Sequence, residues 1–323
     1  MSQLERDEYF ATVWRMCGGS VPAVADSLGI SARKVQSRRR KVEKRLDIRL
    51  PTSDPQGRAR YDEAAVLADT GRSVYPLKVV DGVVVVCSDA HIWPGPLTTM
   101  QRAFLRFLPM LKPVAVILNG DMFDGAKISR HPSIGWEHKP DVKDELAAVR
   151  HYLDRVEQGA PKAKRIWPAG NHDLRFESRM AMVAPEYRGV KGIHLKDHFP
   201  NWIPCWRCDI NDDVVVRHRE SGGEHASYNN VLKGGKTIVT GHDHRTDVIP
   251  YRNYTGMRYG VRTGYLCDSP QDPQFVHYLE AKEPNWHPAF AVLTFKSGRL
   301  LPPELCMKVG EGEVAWRGTS IKV

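Results

Sequence analysis

The sequence predicts an α/β protein that is preceded by a small all-helical unit. Apolar residues recur at helical spacing through the first 46 residues, whereas short β-prone runs alternate with helical stretches after Tyr75. Alternation of strands and helices is typical of α/β folds. A length of 323 residues also favours two domains, at ~150 residues per domain.

The composition excludes several classes of protein. Hydrophobic residues make up 41% of the chain and charged residues 26%, the balance of a globular protein rather than a disordered or fibrous one. The longest apolar runs are strand-sized, such as residues 83–87, and a membrane helix needs ~20 residues. The first ten residues, MSQLERDEYF, are too polar for a secretion signal. We therefore expect a cytoplasmic protein with no membrane partner.

Most of the net charge of +9 lies in one short segment. Residues 31–49 contain nine basic and two acidic side chains, whereas residues 50–323 contain 36 basic and 32 acidic ones. A concentrated basic segment indicates a polyanionic partner. The pattern predicts a nearly neutral body that carries a basic segment close to its amino end.

The amino-terminal segment is predicted to form three helices, over Leu4–Cys17, Val21–Leu28 and Ala32 to about Leu46. Ser20 and Ser31 stand at the N-cap positions of the second and third helices, and a Gly-Ile pair provides a tight turn between them. Two helices joined by a short turn that contains glycine, with the second helix strongly basic, are typical of the helix-turn-helix.

This segment resembles the trihelical helix-turn-helix of bacterial and phage DNA-binding proteins. The resemblance is carried by Gly19-Ser20-Val21, Ala25, Leu28-Gly29-Ile30-Ser31 and Val35. It implies that the third helix binds DNA, with phosphate contacts from Arg33, Lys34, Arg38, Arg39, Lys41 and Arg45. The alternatives are a basic helix that is merely solvated and a small module that binds protein.

Residues 50–60 contain two prolines, a glycine and several turn-forming residues, which mark the end of the helical unit. We therefore predict a helix-turn-helix domain over residues 1–50, a linker over 51–75 and an α/β domain over 76–323.

Five predicted strands in the α/β domain each end at polar side chains. The strands are Val83–Ser88, Val114–Asn119, Arg165–Ala169, Val214–Arg217 and Thr237–Thr240. The residues that follow them are, in order, Asp89-Ala90-His91, Gly120-Asp121-Met122-Phe123-Asp124, Gly170-Asn171-His172-Asp173, His218 and Gly241-His242-Asp243-His244. Because α/β sheets place their sites beyond the carboxyl ends of strands, we expect one site here. Asp89 and His91 are two residues apart, as are His242 and His244, so extended backbone would point each pair the same way.

Carboxylate, imidazole and amide-oxygen ligands without a thiolate suit hard and borderline divalent cations. We expect manganese, with iron, zinc, nickel or magnesium as alternatives. Two such ions about 3.5–4 Å apart need a bridging carboxylate, and Asp121 is the natural choice. Water held between two cations loses a proton near neutral pH and becomes a nucleophile.

The ordered set resembles the calcineurin-like metallophosphoesterase superfamily, whose pattern is DxH, GDxxD, GNH[DE], a lone His after a strand, and GHxH. The resemblance runs from about Val83 to Val292 and implies a four-layer α/β/β/α sandwich. It assigns one metal ion to Asp89, His91, Asp121 and His244, and the other to Asp121, Asn171, His218 and His242. It makes His172 the catalytic histidine near the leaving-group oxygen, with Asp124 as the carboxylate that orients it.

The sequence departs from this pattern in two places. The lone histidine is often followed by glycine in the superfamily, but Arg219 follows His218 here, which makes His225 a rival ligand. We favour His218 because it directly ends a predicted strand. The segment Gly125–Pro140 is a long insertion, which we interpret either as a lid over the substrate or as a plain solvent loop.

A narrower resemblance, to phage and prophage members of the superfamily, implies a location in the cytoplasm of a host cell. It is carried by Arg175 after the GNHD motif, Gly264-Tyr265-Leu266-Cys267-Asp268, Pro284-Asn285-Trp286 and Phe290-Ala291-Val292. Arg175 and Arg245 are candidate contacts for a substrate phosphate, and surface ion pairs are the alternative for both.

Three functional hypotheses follow from the sequence. The first is a two-metal phosphodiesterase or nuclease that acts on DNA and is held there by the helical unit. The second is a phosphomonoesterase or small-nucleotide phosphodiesterase with a regulatory helical module. The third is a DNA-binding regulator with an inactive phosphoesterase body, which we favour least because every expected ligand position is filled. The oligomeric state stays open.

Overall fold

The computed structural model describes residues 3–48, 50, 74–130, 136–267 and 284–323. The chain forms two compact units, Met1–Val66 and Leu67–Val323. The predicted linker over residues 51–75 falls almost entirely outside the described residues, so its bounds stay a prediction.

The first unit consists of three helices, α1 (Gln3–Met16), α2 (Val21–Leu28) and α3 (Ala32–Leu46). The Ser20 hydroxyl accepts a hydrogen bond from the backbone N–H of Ala23, and the Ser31 hydroxyl accepts one from Lys34. The core of the unit is built from fully buried side chains of all three helices, among them Phe10, Trp14, Val24, Val35 and Val42. The three predicted helices and both serine caps are therefore confirmed.

The second unit contains two mixed sheets. One sheet has the order β1 (Val74–Leu77), β6 (Arg207–Ile210), β7 (Val214–Val216), β8 (Thr237–Thr240), β10 (Gly256–Thr263) and β9 (Thr246–Asn253). The other has the order β15 (Thr319–Lys322), β14 (Glu313–Trp316), β13 (Glu304–Gly310), β11 (Ala289–Lys296), β2 (Gly82–Cys87), β3 (Ala115–Leu118), β4 (Lys164–Pro168) and β5 (Ile203–Cys205), and β12 (Arg299–Leu300) pairs with β11.

The helices of this unit are α4 (Thr99–Leu111), α5 (Val142–Gly159), α6 (Asp173–Val183), α7 (Leu195–His198) and α8 (Ala226–Gly234). Short 3-10 turns lie at Ala126–Ile128 and Pro185–Tyr187. Among the described residues, no helix is long and apolar enough to cross a membrane.

The valine run of β2 shows how the layers form. Val84 and Val86 belong to the core between the two sheets, whereas Val85 and Cys87 face the core that contains the apolar faces of α4 and α5. A strand that is buried on both faces has to be apolar throughout, which explains the continuous run. On the far side, α8 packs against β8, β9 and β10. The predicted four-layer α/β/β/α sandwich is confirmed.

The five strands that precede the polar clusters are β2, β3, β4, β7 and β8, each within two residues of its predicted bounds. β2, β3 and β4 run parallel in one sheet, and β7 and β8 run parallel in the other. Their carboxyl ends open at one side of the sandwich, and backbone hydrogen bonds join the loops beyond them. Asp89 N donates to Gly120 O at 3.0 Å, His91 N to Asp121 O at 3.0 Å, and Gly241 N to His218 O at 3.1 Å.

Candidate metal centre

Most of the predicted ligands lie in left-handed backbone rather than in extended strand. The φ angles are 53° at Asp89, 36° at His91, 56° at Asp121, 75° at His242 and 60° at His244. Left-handed backbone at residues other than glycine costs of order 1–3 kcal/mol each and persists only where surrounding contacts enforce it. The expectation of extended backbone was therefore wrong. Asp89 and His91 still contribute to the same cluster of candidate ligand atoms, whereas His242 and His244 contribute to two different clusters.

The loops bring six of the seven predicted metal ligands, together with the predicted catalytic His172, into three overlapping clusters. In each cluster the ligand atoms lie within 4.8 Å of one another. The clusters are Asp89, His91 and His244; His91, Asp121 and His172; and Asp121, His218 and His242. Asp121 is shared by the second and third clusters, and His91 is shared by the first and second. Asp121 therefore lies between the two predicted ligand sets, where a bridging carboxylate is needed.

Unpaired buried atoms show that these residues fit a pair of divalent cations. Among the described residues, Asn171 Oδ1 and His244 Nδ1 are buried without a hydrogen-bond partner, whereas Asp89 Oδ1 and His218 Nε2 face only other ligand atoms of the centre. His218 Nε2 lies 3.1 Å from Asp121 Oδ2, and His244 Nε2 lies 3.2 Å from Asp89 Oδ1. Buried polar atoms without partners are costly, and a cation that binds them removes the cost.

The electrostatics of the centre keep its carboxylates ionised. Burial by itself raises the pKa of Asp89 and Asp121, but the neighbouring histidines, His218 first, outweigh burial and hold both values below the usual range. Burial lowers the pKa of His218, but the charges of Asp121 and Asp89 raise it to about 10. A divalent cation would supply the positive charge that these histidines now provide.

Two histidines are oriented by hydrogen bonds on their outer ring nitrogen. His218 Nδ1 donates to the carbonyl oxygen of Asn119 at 2.7 Å, which turns Nε2 toward Asp121. His91 Nδ1 lies 3.2 Å from Asp124 Oδ1, and its Nε2 faces Asp89. Such outer partners fix the tautomer and ring orientation of a metal-binding histidine.

Asp124 contacts His172, the histidine that the sequence predicts to be catalytic. Its Oδ1 lies 2.5 Å from His172 Nδ1, and its Oδ2 accepts from Trp93 Nε1 at 3.0 Å. Burial raises the pKa of Asp124, but the hydrogen bonds from His172 and His91 hold it well below its usual range. Because an ionised carboxylate only accepts, His172 carries its proton on Nδ1 and exposes Nε2 as an acceptor.

Arg175, a predicted phosphate contact, lies against this pair. Its Nη1 donates to the Asp124 carbonyl at 2.9 Å, and its Nη2 donates to His172 Nε2 at 3.1 Å. Arg245, the other predicted contact, directly follows His244 and is half-buried.

Sequence reasoning missed two buried carboxylates that hold the loops of the centre. Asp173 accepts hydrogen bonds from the backbone N–H groups of residues 121, 122, 123 and 170, and from the indole of Trp167. Glu145 Oε1 accepts from Asp124 N and Gly125 N, each at 2.6 Å. Asp173 could have been noticed as the last letter of GNHD, whereas Glu145 has no signal in the sequence beyond its place in the first turn of a helix.

Two glycines are required because the loops approach each other so closely. A Cβ at Gly170 would lie 2.0 Å from Asp121 Oδ1, and a Cβ at Gly120 would lie 2.4 Å from His218 Nδ1. Neither position has room for a side chain.

The structure brings His218, and not its rival His225, to the centre. His218 is buried beside Asp121, whereas His225 is exposed at the start of α8 and belongs to none of the three clusters. Of the insertion Gly125–Pro140, residues 131–135 lie outside the described residues, so its interpretation as a lid or a solvent loop stays open.

The predicted DNA-binding side chains of α3 divide into two groups. Arg33, Lys34 and Lys41 are exposed. The guanidinium groups of Arg38 and Arg39 instead lie over the rings of Phe10 and Trp14, each 5.2 Å from the ring centre. Arg45 forms two hydrogen bonds to the buried carboxylate of Asp7, at 2.6 and 2.9 Å. The prediction omitted Arg40 and Lys44, which are exposed on the same helix face as Arg33.

Comparison with known proteins identifies a matching family and two phage relatives. The profile of the calcineurin-like phosphoesterase family matches residues 82–246, which contain all the residues of the three clusters. The gene 54 protein of Mycobacterium phage L5 is 24% identical over 247 residues, which are 70% of this chain and 94% of the relative. The gene 54 protein of Mycobacterium phage D29 is 24% identical over 250 residues, with the same coverage.

Solved structures with a similar fold are more distant. Vps29 from Entamoeba histolytica, complexed with zinc, has 13% identity and a TM-score of 0.38, covering 74% of this chain and 98% of its own. The phosphoesterase YfcE from Escherichia coli has 10% identity and a TM-score of 0.32, covering 68% of this chain and 97% of its own. The family profile spans half of the chain and carries the assignment: this protein is a member of the calcineurin-like phosphoesterase family.

Proposed function

We propose that this protein is a two-metal phosphodiesterase that cleaves DNA, with α3 holding it on the duplex in the cytoplasm of a phage host. The hydrolytic part rests on two halves of the centre, with Asp89, His91 and His244 in one and His218 and His242 in the other, because Asp121 lies close to His91 as well as to the second half. Two divalent cations in those halves, manganese by preference, would polarise a phosphate group and acidify an attacking water. The residues of the chain hold the ions and handle the proton of the leaving group.

His172 is the residue that we assign to the leaving-group oxygen. Asp124 fixes its ring through Nδ1, so Nε2 is the atom that exchanges a proton with the substrate. Nε2 now accepts from Arg175, and a guanidinium can only donate. A bound phosphate offers Arg175 an anionic partner, which frees His172 Nε2 to take up a proton from water and then to donate that proton to the departing oxygen. Arg175 therefore has two roles: it contacts the substrate phosphate, and it occupies His172 Nε2 until that phosphate is bound.

The DNA part of the proposal rests on the exposed face of α3. Arg33, Arg40 and Lys44 follow one another at seven- and four-residue intervals, which places them in one stripe along the helix. Lys34 and Lys41 flank that stripe and are also exposed. Five exposed cations on one face of a helix are suited to a row of phosphates.

The catalytic part is tested with purified protein and a panel of divalent metals against mono-aryl phosphate, bis-aryl phosphate and DNA. We expect manganese to support hydrolysis of the diester in preference to the monoester, and degradation of DNA. His172→Asn should lower turnover about 10²- to 10⁴-fold, the range for loss of a general acid, and retain bound metal. A preference for the monoester with DNA left intact would favour the phosphomonoesterase instead, and inactivity with every metal would favour the DNA-binding regulator.

The DNA-binding part is tested with the triple variant Arg33→Ala, Arg40→Ala, Lys44→Ala. We expect weaker DNA binding and a dependence of log K on log salt that is shallower by about 0.9 for each lost phosphate contact. Turnover of the small diester should stay unchanged. The matched control replaces the exposed Lys191, Lys233 and Arg252 by alanine and removes the same charge from the other unit. Equal DNA affinity in the two triple variants would refute the role of α3.

A further inference from the structure

Arg262 is a buried arginine that lies beneath the loops of the metal centre. It stands on β10, one residue before the strand ends, and only 5% of its surface is exposed. A buried charge is expensive unless it is paired and hydrogen-bonded on all sides. Every nitrogen of its guanidinium has such partners, and they come from three different segments of the chain.

The first segment is the loop that carries His242 and His244. Arg262 Nη1 donates to Oδ2 of Asp243, the residue between the two histidines, at 2.8 Å. The other oxygen of Asp243 accepts from the backbone N–H of Arg245 at 3.3 Å. The carboxylate of Asp243 therefore closes the turn of the loop and fastens it to Arg262.

The second segment is the loop between His218 and α8. Arg262 Nη1 donates to the carbonyl oxygen of Gly223 at 3.3 Å, and its Nη2 donates to that of Glu224 at 3.2 Å. The third segment is the start of β9, where Arg262 Nε donates to Asp247 Oδ2 at 3.0 Å. Asp247 in turn accepts from the Ser227 hydroxyl at the start of α8. One guanidinium thus joins the loops that follow β7 and β8 to the start of β9 and, through Asp247 and Ser227, to α8.

This connection matters because the histidine loop is strained. His242 and His244 both have left-handed backbone, and strain of this kind is maintained only by surrounding contacts. Two contacts hold this loop in place. His242 N donates to Asp89 Oδ2 at 2.9 Å, and Arg262 holds the loop through its hydrogen bond to Asp243. His242 and His244 also belong to different clusters, so their separation depends on the shape of this short turn.

We propose that Arg262 is a positioning residue that holds the His242–His244 loop, through Asp243, in the shape that binds both metal ions. Arg262 belongs to none of the three clusters of candidate ligand atoms. Its contribution is to metal affinity and not to the chemical step. The proposal builds on the two-metal centre of the proposed function, but it does not depend on DNA as the substrate.

The test measures manganese binding to the full-length protein by calorimetry, without substrate, in three variants. Asp243→Ala removes the connection of Arg262 to the histidine loop, together with the hydrogen bond from Arg245 N, and leaves Arg262 paired with Asp247. Arg262→Met removes the whole connection, and Arg262→Lys restores one charged contact. Loss of an outer contact to a metal site typically weakens metal binding about 10- to 100-fold. We expect that loss for Asp243→Ala and Arg262→Met, and an intermediate value for Arg262→Lys.

Two controls separate positioning from general damage. Arg258→Met removes an arginine from the same strand whose hydrogen bonds go to Asn253 and Thr255, away from the centre, and its manganese affinity should stay within twofold of the wild type. At saturating manganese, Asp243→Ala should regain most of the wild-type kcat, because no catalytic group has been lost. Its thermal unfolding without metal should remain close to that of the wild type.

Manganese affinity of Asp243→Ala and Arg262→Met within twofold of the wild type would overturn the proposal, and so would a loss of kcat that excess metal does not restore. If the wild type binds manganese but hydrolyses no phosphodiester, the proposed function fails while the affinity comparison still decides the role of Arg262. A wild type that binds no manganese would overturn both.

Discussion

Glu145 illustrates, at the scale of a single residue, how the surroundings change the chemistry of a side chain. It is fully buried, and its Oε1 accepts two backbone N–H groups of the loop that carries Asp124. Burial, together with the nearby charge of Asp124, raises its pKa to about 8 from an ordinary value of 4.5. The folded protein therefore holds a proton on Glu145 at neutral pH, whereas the unfolded chain does not.

Replacing this residue makes the pH dependence of stability measurable. Because the folded pKa is raised, the contribution of Glu145 to stability is fully present below about pH 4.5 and is lost as the pH rises to about 8. The slope in that window is at most about 1.4 kcal/mol per pH unit. Glu145→Gln keeps the acceptor oxygen and removes the titration, so its melting temperature should fall less between pH 5 and pH 8 in the presence of a chelator. Parallel curves for the two proteins would contradict this assignment.

At the scale of secondary-structure elements, the centre depends on how closely the loops after β3 and β4 approach each other. Asp173, at the start of α6, accepts hydrogen bonds from both loops and holds them together. The contact leaves no space for a Cβ at Gly170. The geometry of Asp121, the shared ligand, is therefore set by packing between loops and not by its own strand.

Gly170→Ala should damage the metal centre more than a single methyl group normally would. The added carbon would lie 2.0 Å from Asp121 Oδ1, so the two loops must separate. We expect manganese affinity to fall at least about tenfold, as for the loss of other supporting contacts. The control Gly222→Ala adds the same methyl group in open space after β7, and it should bind manganese like the wild type. Similar affinities for both variants would show that the loops tolerate the separation.

For the whole molecule, the centre is a place where folding and metal binding are coupled. The sandwich brings strand ends from both sheets to one side, and with them a set of buried ligand atoms that lack hydrogen-bond partners. A ligand that binds only the folded state stabilises it by mass action. Metal removal should therefore lower the stability of the protein as well as its activity.

We expect EDTA-treated protein to unfold at a lower temperature than protein with manganese, and manganese at 100 times its dissociation constant should add about 2.7 kcal/mol for each site. Asp121→Ala, which lacks the carboxylate shared by two clusters, should lose most of this stabilisation. Thermal unfolding with and without manganese gives the comparison. If manganese stabilises the variant and the wild type equally, Asp121 is not a metal ligand.

Much of this architecture could be predicted because its signals are local. Apolar spacing identified the first helix of the first unit, the serine caps and the glycine turn identified the other two, and the apolar runs identified the five strands that lead into the centre. The basic face of α3 was predicted less well. Arg45 pairs with Asp7, which is 38 residues away, and Arg40 lies on the outer face of the helix, so partners within the folded unit decide which cations are left without a partner there.

The sequence alone determined the order and type of the residues at the strand ends, because strand propensity and ligand chemistry belong to individual residues and their neighbours. Only the tertiary structure decided how those residues meet. It placed His218 rather than His225 beside Asp121, it put five of the ligands in left-handed backbone, and it supplied Asp173, Glu145 and Arg262 as the contacts that hold them. Strained loops require support from segments that are distant in sequence, and such support becomes visible only when the sheets have packed.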